Sequence, residues 1–218
     1  MKYTHLYIFC LLLCGFCNAA TNLQASHTTE IIAFHSADEA ISCLYPENDI
    51  EREVISSEEW LAGARWGEPR NGHPEGAIIY HIHEVLDNVE KYYGDSSMRE
   101  KLRIITIIHD TFKNKFDNSL PKGGENQHGM IARRFAEKYI ADQGILEIIQ
   151  RHDDAFFAWK FGAIQGDWDK AYQNASKLID ILGDDLELFI AFFECDNRTG
   201  DKTPESVDWF KQYAETYR

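Results

Sequence analysis

Apolar residues recur at the spacing of an α-helix along most of the chain after residue 76. Between residues 77 and 93 they stand three or four positions apart, so that they share one face of a helix. The same pattern predicts helices at 100–116, 128–141, 144–161, 167–182 and 185–196, and a last helix from Pro204 to the C-terminus. Shorter helices are predicted at 37–45 and 56–65. The sequence therefore indicates an all-α fold, a bundle of six or more helices.

The segment 100–116 differs from the other predicted helices because its apolar residues face nearly all directions. Its four isoleucines lie between residues 104 and 108, a density typical of a helix at the centre of a domain. Taken alone, this run is also compatible with a strand. Turn-forming residues predict loops at 66–76 and at Gly123-Gly124.

The first 20 residues have the features of a secretory signal peptide. Lys2 gives a positive start, an apolar run follows from Leu6 to Cys17, and the small residues Ala19 and Ala20 offer a cleavage site. The run is shorter than the roughly 20 apolar residues of a transmembrane helix. We therefore expect a secreted or periplasmic protein without a stable membrane span after processing. The alternative is a buried or membrane-associated N-terminal helix in a cytoplasmic protein.

Two segments follow the predicted signal peptide. Residues 21–71 are predicted to be an N-terminal extension with short helices, and residues 72–218 to be the main helical domain. After residue 20 only two cysteines remain, Cys43 and Cys195, and Cys195 lies in a strongly apolar helix. We expect Cys195 to be a buried free thiol.

The acidic composition limits the possible partners. The net charge is −14, from 36 acidic and 22 basic residues. No stretch concentrates Lys and Arg as a nucleic-acid-binding surface requires, so long nucleic acids are excluded as partners. A small anionic substrate stays compatible with this charge, because a bound cation reverses the local potential of its site.

Histidines and carboxylates inside apolar helices form the candidate site. Such groups are costly to bury unless a partner satisfies them, and a shared divalent metal centre would satisfy several at once. The pair His109-Asp110 lies in the most apolar predicted helix. The full set of candidate metal ligands is His81, His109, Asp110, His128, His152 and Asp196.

Several candidates also have a simpler interpretation. His109 could be a core histidine bonded to a carbonyl group. Asp196 shares a helix face with three phenylalanines, where a carboxylate needs a cation. That cation could be Arg198 or Lys202 in a structural salt bridge. His128 opens a predicted helix, where an exposed capping role is the alternative.

The pattern leaves two choices open. His81 and His83 lie on either side of the apolar stripe of one helix, so periodicity does not choose between them. His83 has acidic residues on its side, which indicates a wetter position, and the choice of His81 also leans on the family resemblance of the whole ligand set. His152 points to an apolar face, and Asp153 after it makes a second His-Asp dipeptide. Either dipeptide could be the one that binds a metal.

In this order and spacing, the candidate residues resemble the HD superfamily of metal-dependent phosphohydrolases. The resemblance covers residues 72–203 and runs through Glu75-Gly76, His81 with Val85, His109-Asp110-Thr111-Phe112-Lys113, and Asp196 at the end of an apolar helix. Phe112 departs from the family pattern, which often has Gly between the His-Asp pair and the lysine.

The resemblance implies an HD-domain helical bundle with a metal centre. The implied ligands of one metal ion are His81, His109, Asp110 and Asp196. His128 and His152 occupy the places of two further histidines found in some members. That arrangement implies a binuclear centre bridged by Asp110, with Mn, Fe, Mg or Ni as the divalent ions.

The function implied by the resemblance is hydrolysis of a small phosphate ester, with nucleotides as the expected class, by a metal-activated water. The expected catalytic residues are Lys113, Glu75 and Asp110, and the expected phosphate contacts are Lys113, Arg70 and His73. Glu75 would orient a ligand or a water, whereas Lys113 could also be a solvated lysine. Two other functions stay open: a mixed-valent di-iron oxygenase with the same six ligands, and a non-catalytic metal-binding domain.

Overall fold

The computed structural model describes residues 34–71, 73–121 and 123–217, so the predicted signal peptide lies outside the described residues. Within these ranges the chain is helical, and its only β-type pairing is one isolated antiparallel bridge between Arg70 and His73. The prediction of an all-α fold is confirmed. No helix in the described ranges has the length and apolar character needed to cross a membrane.

The helices follow one another with short connections. The α-helices are α1 (Ala37–Ser42), α2 (Asp49–Ile55), α3 (Glu58–Ala64), α4 (Ile78–Tyr93), α5 (Arg99–Ile108), α6 (His128–Ala136), α7 (Gln143–Arg151), α8 (Asp154–Ala163), α9 (Trp168–Leu182), α10 (Leu186–Asn197) and α11 (Glu205–Tyr217). Short 3-10 helices lie at Lys113–Lys115, Gly124–Asn126 and Gly183–Asp185. The loop predicted at 66–76 is present between α3 and α4.

The core is built around α5, as its apolar character predicts. Leu102 and Ile105 are completely buried, and Ile104, Ile107 and Ile108 are nearly so. Helices α2, α4, α7 and α10 all pack against α5. A helix that is apolar on every face needs such neighbours on every side. The strand interpretation of the isoleucine run is therefore wrong.

Three of the longer predicted helices end earlier than the periodicity predicts, and one of them is α6, which was predicted at 128–141 and ends at Ala136. The helix predicted at 100–116 stops at Ile108, His109 is its C-terminal cap, and Asp110 lies in the following turn. The helix predicted at 144–161 is two helices, because the chain turns at His152 and Asp153 between α7 and α8. Both His-Asp dipeptides thus stand at helix ends, where side chains reach past the helix toward neighbouring elements.

Helix α2 is a short helix that the pattern did not predict. A buried ion pair holds it against α5. Arg103 of α5 donates from Nε to Glu51 Oε1 at 3.0 Å and from its second terminal nitrogen to Glu51 Oε2 at 2.9 Å. Asn48 caps the helix by accepting from the Glu51 backbone N–H. A two-point guanidinium–carboxylate contact also fixes the orientation of the two helices.

Helix α3 supports the turn that carries Asp110. The indole Nε1 of Trp60 donates to the Ile107 backbone oxygen at 2.8 Å. Gly63 lies so close to the backbone oxygen of Thr111 that an added β-carbon would overlap it. Residues before position 72 therefore hold the end of α5 in place, and Phe34–Arg218 form one compact unit.

The cysteines behave as the sequence predicts. Cys43 and Cys195 are both free thiols, and Cys195 is fully buried in α10. Burial raises the pKa of the Cys195 thiol to about 12. In the part of the chain that the structure describes, neither cysteine forms a disulfide.

Candidate metal centre

Four predicted ligands meet where α4, α5 and α10 converge, and we call His81, His109, Asp110 and Asp196 the first ligand group. His81 Nε2 lies 2.9 Å from Asp196 Oδ1 and 3.7 Å from Asp110 Oδ2. His109 Nε2 lies 3.5 Å from Asp110 Oδ2 and 3.7 Å from Asp196 Oδ1. The two imidazole Nε2 atoms are 3.3 Å apart. Two nitrogens and two oxygens thus face one small space.

The other two predicted histidines meet Asp110 from the opposite side, and we call Asp110, His128 and His152 the second ligand group. Asp110 Oδ1 lies 3.2 Å from His152 Nε2 and 3.5 Å from His128 Nε2. The two Nε2 atoms are 2.9 Å apart. His128 is the first residue of α6, but its side chain is largely buried, so the exposed capping alternative is wrong.

Asp110 belongs to both groups through different oxygen atoms. Oδ2 faces the first ligand group, and Oδ1 faces the second. The side chain is only 3% exposed, and Oδ1 has no hydrogen-bond partner within the described residues. A buried carboxylate oxygen without a partner is costly. A cation between Oδ1 and the two neighbouring rings would remove that cost.

Backbone carbonyl groups fix the orientation of two of the rings. His109 Nδ1 lies 2.9 Å from the Thr106 oxygen, and His152 Nδ1 lies 2.8 Å from the Ile149 oxygen. A carbonyl oxygen only accepts hydrogen bonds, so each Nδ1 carries the proton. In the neutral ring, Nε2 then offers its lone pair to the ligand group. The alternative of His109 as a carbonyl-bonded core residue is therefore compatible with a metal ligand.

The loop before α4 brings a carboxylate behind His81. Glu75 Oε1 accepts from His73 Nδ1 at 2.9 Å and lies 3.6 Å from His81 Nδ1. Glu75 Oε2 and His81 Nδ1 are both buried without a hydrogen-bond partner in the described structure. Gly76 takes a φ of 86°, a left-handed conformation that favours glycine, and this lets the chain turn into α4. Glu75 is thus placed to orient the His81 ring.

Two lysines border the ligand groups. Lys113 Nζ lies 2.5 Å from Asp110 Oδ2, and Lys202 Nζ lies 3.1 Å and 3.2 Å from the two oxygens of Asp196. The salt bridge to Lys202, considered above as an alternative for Asp196, is therefore present, whereas Arg198 approaches Glu194. Neither lysine accounts for the imidazole nitrogens that face the same carboxylates.

Burial and charge set the protonation of the first ligand group. Burial alone would raise the pKa of Asp110 and of Asp196. The neighbouring lysines and histidines outweigh burial and hold both well below the usual range. Burial, together with the Lys202 ammonium, lowers the pKa of His81 to about 4. Two carboxylates and a neutral imidazole are the forms that bind divalent metals.

The second ligand group favours positive charge at His152. Burial opposes a charged ring, but the Asp153 and Asp110 carboxylates raise the pKa of His152 to about 9. Burial lowers the pKa of His128. The position between these side chains thus attracts a cation, which can be a proton or a metal ion.

The ligand groups open into a cavity of ≈ 460 Å³. Asp110, Lys113, His152 and Lys202 contribute its polar floor. Aromatic side chains form another part of its wall: Phe156, Trp159 and Phe193. A cavity with aromatic walls and a few converging polar groups is the usual form of a small-molecule site.

The remaining predicted residues lie at different distances from the cavity. His73 lines it beside Asn71, whereas Arg70 is exposed and is not among the lining residues. His83 turns away, and its Nε2 lies 2.8 Å from the Ala40 backbone oxygen, which ties α4 to α1. His81, by contrast, is 1% exposed and faces the ligands.

Among the cavity residues that were not predicted as site residues, Asp153 and Lys202 carry charges next to the ligand groups. Asp153 Oδ2 lies 3.5 Å from His128 Nε2, and Lys202 borders the cavity floor. The sequence contained a signal for Asp153, because it forms the second His-Asp dipeptide. Lys202 had none beyond its proximity in sequence to Asp196, since a single lysine in a polar loop has no distinctive pattern.

The donor set fits a divalent metal. Ligand atoms bound to one ion at about 2.0–2.2 Å lie about 3–4 Å apart, as these do. Imidazole nitrogen and carboxylate oxygen suit several first-row metals. Comparisons with protein-family models, curated proteins and solved structures find no match. Fold and site thus define an all-helical protein with buried His/Asp groups that could hold metal.

Proposed function

We propose that this protein is a metal-dependent phosphohydrolase of the HD superfamily that acts on a small phosphate ester, with nucleotides as the favoured class. The observation that carries the proposal is the position of Asp110 between two pairs of histidines at the floor of a cavity. Divalent ions in such a site supply a water of lowered pKa and positive charge beside a phosphoryl group.

The protein's own residues have distinct roles in this proposal. The first ligand group and the second ligand group would each hold one divalent ion, with Asp110 common to both groups. Glu75 would orient His81, because its Oε1 lies 3.6 Å from His81 Nδ1, and His73 in turn holds Glu75 by donating to Oε1. These supporting contacts keep the ligand atoms in place before substrate arrives, which is what efficient electrostatic catalysis requires.

Lys113 and Lys202 bind the phosphoryl oxygens. Both ammonium groups border the cavity floor and stand next to the carboxylates of the two ligand groups. A lysine pair is a suitable anchor for a dianion in a protein whose net charge is −14. It gives the acidic chain a local positive site for an anionic substrate.

The aromatic wall favours a substrate with a planar group. The ring centroids of Phe156 and Trp159 lie 5.9 Å apart, with an angle of 26° between the ring planes. Both rings line the cavity together with Phe193. Aromatic side chains stack on nucleobases at about 1–3 kcal/mol per base. A nucleoside phosphate would therefore use both the lysines and the aromatic wall.

Phosphate release tests the proposal. The purified chain would be screened against nucleotides and simple phosphomonoesters with Mn²⁺, Mg²⁺, Fe²⁺ or Ni²⁺. We expect metal-dependent release that falls about 10–100-fold in Lys113→Met, because a charge-assisted contact contributes about 1.5–3 kcal/mol. The control is Lys177→Met, which alters an exposed lysine of α9.

The same screen separates the alternatives. Oxygen uptake by the Fe²⁺-loaded protein without phosphate release would instead indicate a di-iron oxygenase. Tight metal binding with neither activity would indicate a non-catalytic metal-binding domain. Either result would contradict the proposed hydrolase.

A further inference from the structure

Asp153 has an unusual position for a residue at the start of a helix. It precedes α8, but its side chain does not cap the helix. Its Oδ2 instead lies 3.5 Å from His128 Nε2 and 3.8 Å from His152 Nε2, and the side chain is 28% exposed. It also lines the cavity. The carboxylate thus faces the second ligand group.

Within the described part of the chain, the two histidines are the only ion-pairing groups within 4 Å of the Asp153 carboxylate. Its neighbour Asp154 has an ordinary structural partner, because Arg151 donates to Asp154 Oδ2 at 3.4 Å. A salt bridge to lysine or arginine therefore does not explain the position of Asp153.

The two His-Asp dipeptides have the same local arrangement. Each histidine caps a buried helix and directs Nδ1 to the carbonyl oxygen three residues earlier, at 2.9 Å for His109 and 2.8 Å for His152. Each following aspartate turns an oxygen toward the Nε2 of its own histidine, at 3.5 Å for Asp110 and 3.8 Å for Asp153. Asp153 therefore has the local geometry of Asp110.

A buried group without a partner points at the same space. Among the described residues, Asp110 Oδ1 has no hydrogen-bond partner, and it is directed at His128 and His152. We propose that Asp153 is a fourth protein ligand of a divalent cation held by the second ligand group. Each half of the centre would then have two histidines and two carboxylates, with Asp110 common to both halves.

This inference depends on the metal centre of the proposed function but not on hydrolysis, so it is tested by metal binding alone. Metal-free full-length protein would be dialysed against graded Mn²⁺, and bound manganese per chain measured by elemental analysis. We expect two Mn²⁺ for the unaltered protein. In Asp153→Asn the Mn²⁺ at the second ligand group should bind about tenfold more weakly or worse, because a charged ligand is lost.

Asp154→Asn is the matched control, since it changes the adjacent carboxylate, which pairs with Arg151. It should bind both Mn²⁺ ions as the unaltered protein does. Undiminished binding of both ions by Asp153→Asn would overturn the inference, and so would a chain that binds no metal at all. Two bound ions without phosphate release would contradict the proposed hydrolase and leave this inference standing.

Direct ligation has its own spectroscopic test. Asp153→Cys loaded with Co²⁺ should develop a near-ultraviolet thiolate-to-cobalt charge-transfer band, because thiolate is a metal ligand. The Co²⁺-loaded unaltered protein, which contains the five native cysteines of the chain, is the blank. Two bound Co²⁺ ions without the new band would overturn the assignment even if Asp153→Asn folds poorly.

Discussion

Gly129 packs against the backbone oxygen of Gln150 so closely that a β-carbon would overlap it. This contact joins the first turn of α6 to the last turn of α7, and it brings His128 Nε2 within 2.9 Å of His152 Nε2. The glycine after His128 thus allows the close approach of α6 and α7 that brings the two histidines of the second ligand group together.

We predict that Gly129→Ala separates these helices. The free energy of unfolding should fall by about 1–3 kcal/mol, the usual cost of overpacking a core. Binding of Mn²⁺ at the second ligand group should also weaken. Gly144→Ala is the control, because the three atoms nearest to its new methyl group all belong to the Asp185 side chain, which can move, and not to backbone. Thermal unfolding and manganese titration measure both effects. Normal Mn²⁺ binding by Gly129→Ala would show that the close approach is not needed.

His81 and His83 should differ sharply in metal binding. His81 faces three ligands of the first group, whereas His83 contacts the Ala40 backbone oxygen and the Phe34 ring. His81→Ala should lose one Mn²⁺ per chain. His83→Ala should keep both ions and lose about 1 kcal/mol of stability with its hydrogen bond. Elemental analysis and denaturant unfolding check this, and the reverse pattern would mean that His83 is the ligand.

Lys202 should have opposite effects on metal binding and on catalysis. Its ammonium lies 3.1 Å from Asp196 Oδ1, so it repels a cation at that oxygen. Lys202→Met should therefore bind the Mn²⁺ of the first ligand group more tightly. It should nevertheless release phosphate from the substrate more slowly, because a phosphoryl contact is lost. Manganese titration and turnover are measured on the same sample. Weaker metal binding together with unchanged turnover would contradict both roles.

Cys43 and Cys195 should react with an alkylating reagent at very different rates. Burial raises the pKa of Cys195 to about 12, so almost no thiolate forms at neutral pH, and the side chain is also inaccessible. Cys43 is partly exposed. Alkylation of the native protein followed by mass spectrometry should therefore modify Cys43 and spare Cys195 until the protein is unfolded. Rapid labelling of Cys195 in the native state would mean that α10 opens readily.

The sequence predicted the helical fold because apolar periodicity reports which face of a helix is buried. It was less informative about where helices end. The chain turns at His152 and Asp153 without Gly or Pro, so the sequence contains no breaker there. Helix α2 was missed although Asn48 and Glu51 are a local signal for a helix start, because the helix has only seven residues and its buried ion pair joins Glu51 to the distant Arg103.

Most candidate ligands could be selected from the sequence because each is a titratable residue in an apolar segment, whereas the choice of His81 over His83 leaned on the resemblance to the HD superfamily. Their grouping could not. That Asp110 presents one oxygen to each ligand group depends on the turn after α5, which Gly63 and Trp60 support from a helix far away in sequence. The sequence also offered a choice between two His-Asp dipeptides. The structure makes that choice unnecessary, since both dipeptides face the same site.

The central claim is that buried histidines and aspartates converge to bind divalent cations. The most direct test is an anomalous difference map from crystals of the full-length protein grown with Mn²⁺. We predict two peaks on either side of Asp110, one among His81, His109 and Asp196 and one beside His128 and His152. A map without peaks there, with Lys113 and Lys202 still paired to Asp110 and Asp196, would show that the cluster is a structural ion-pair network and would contradict the claim.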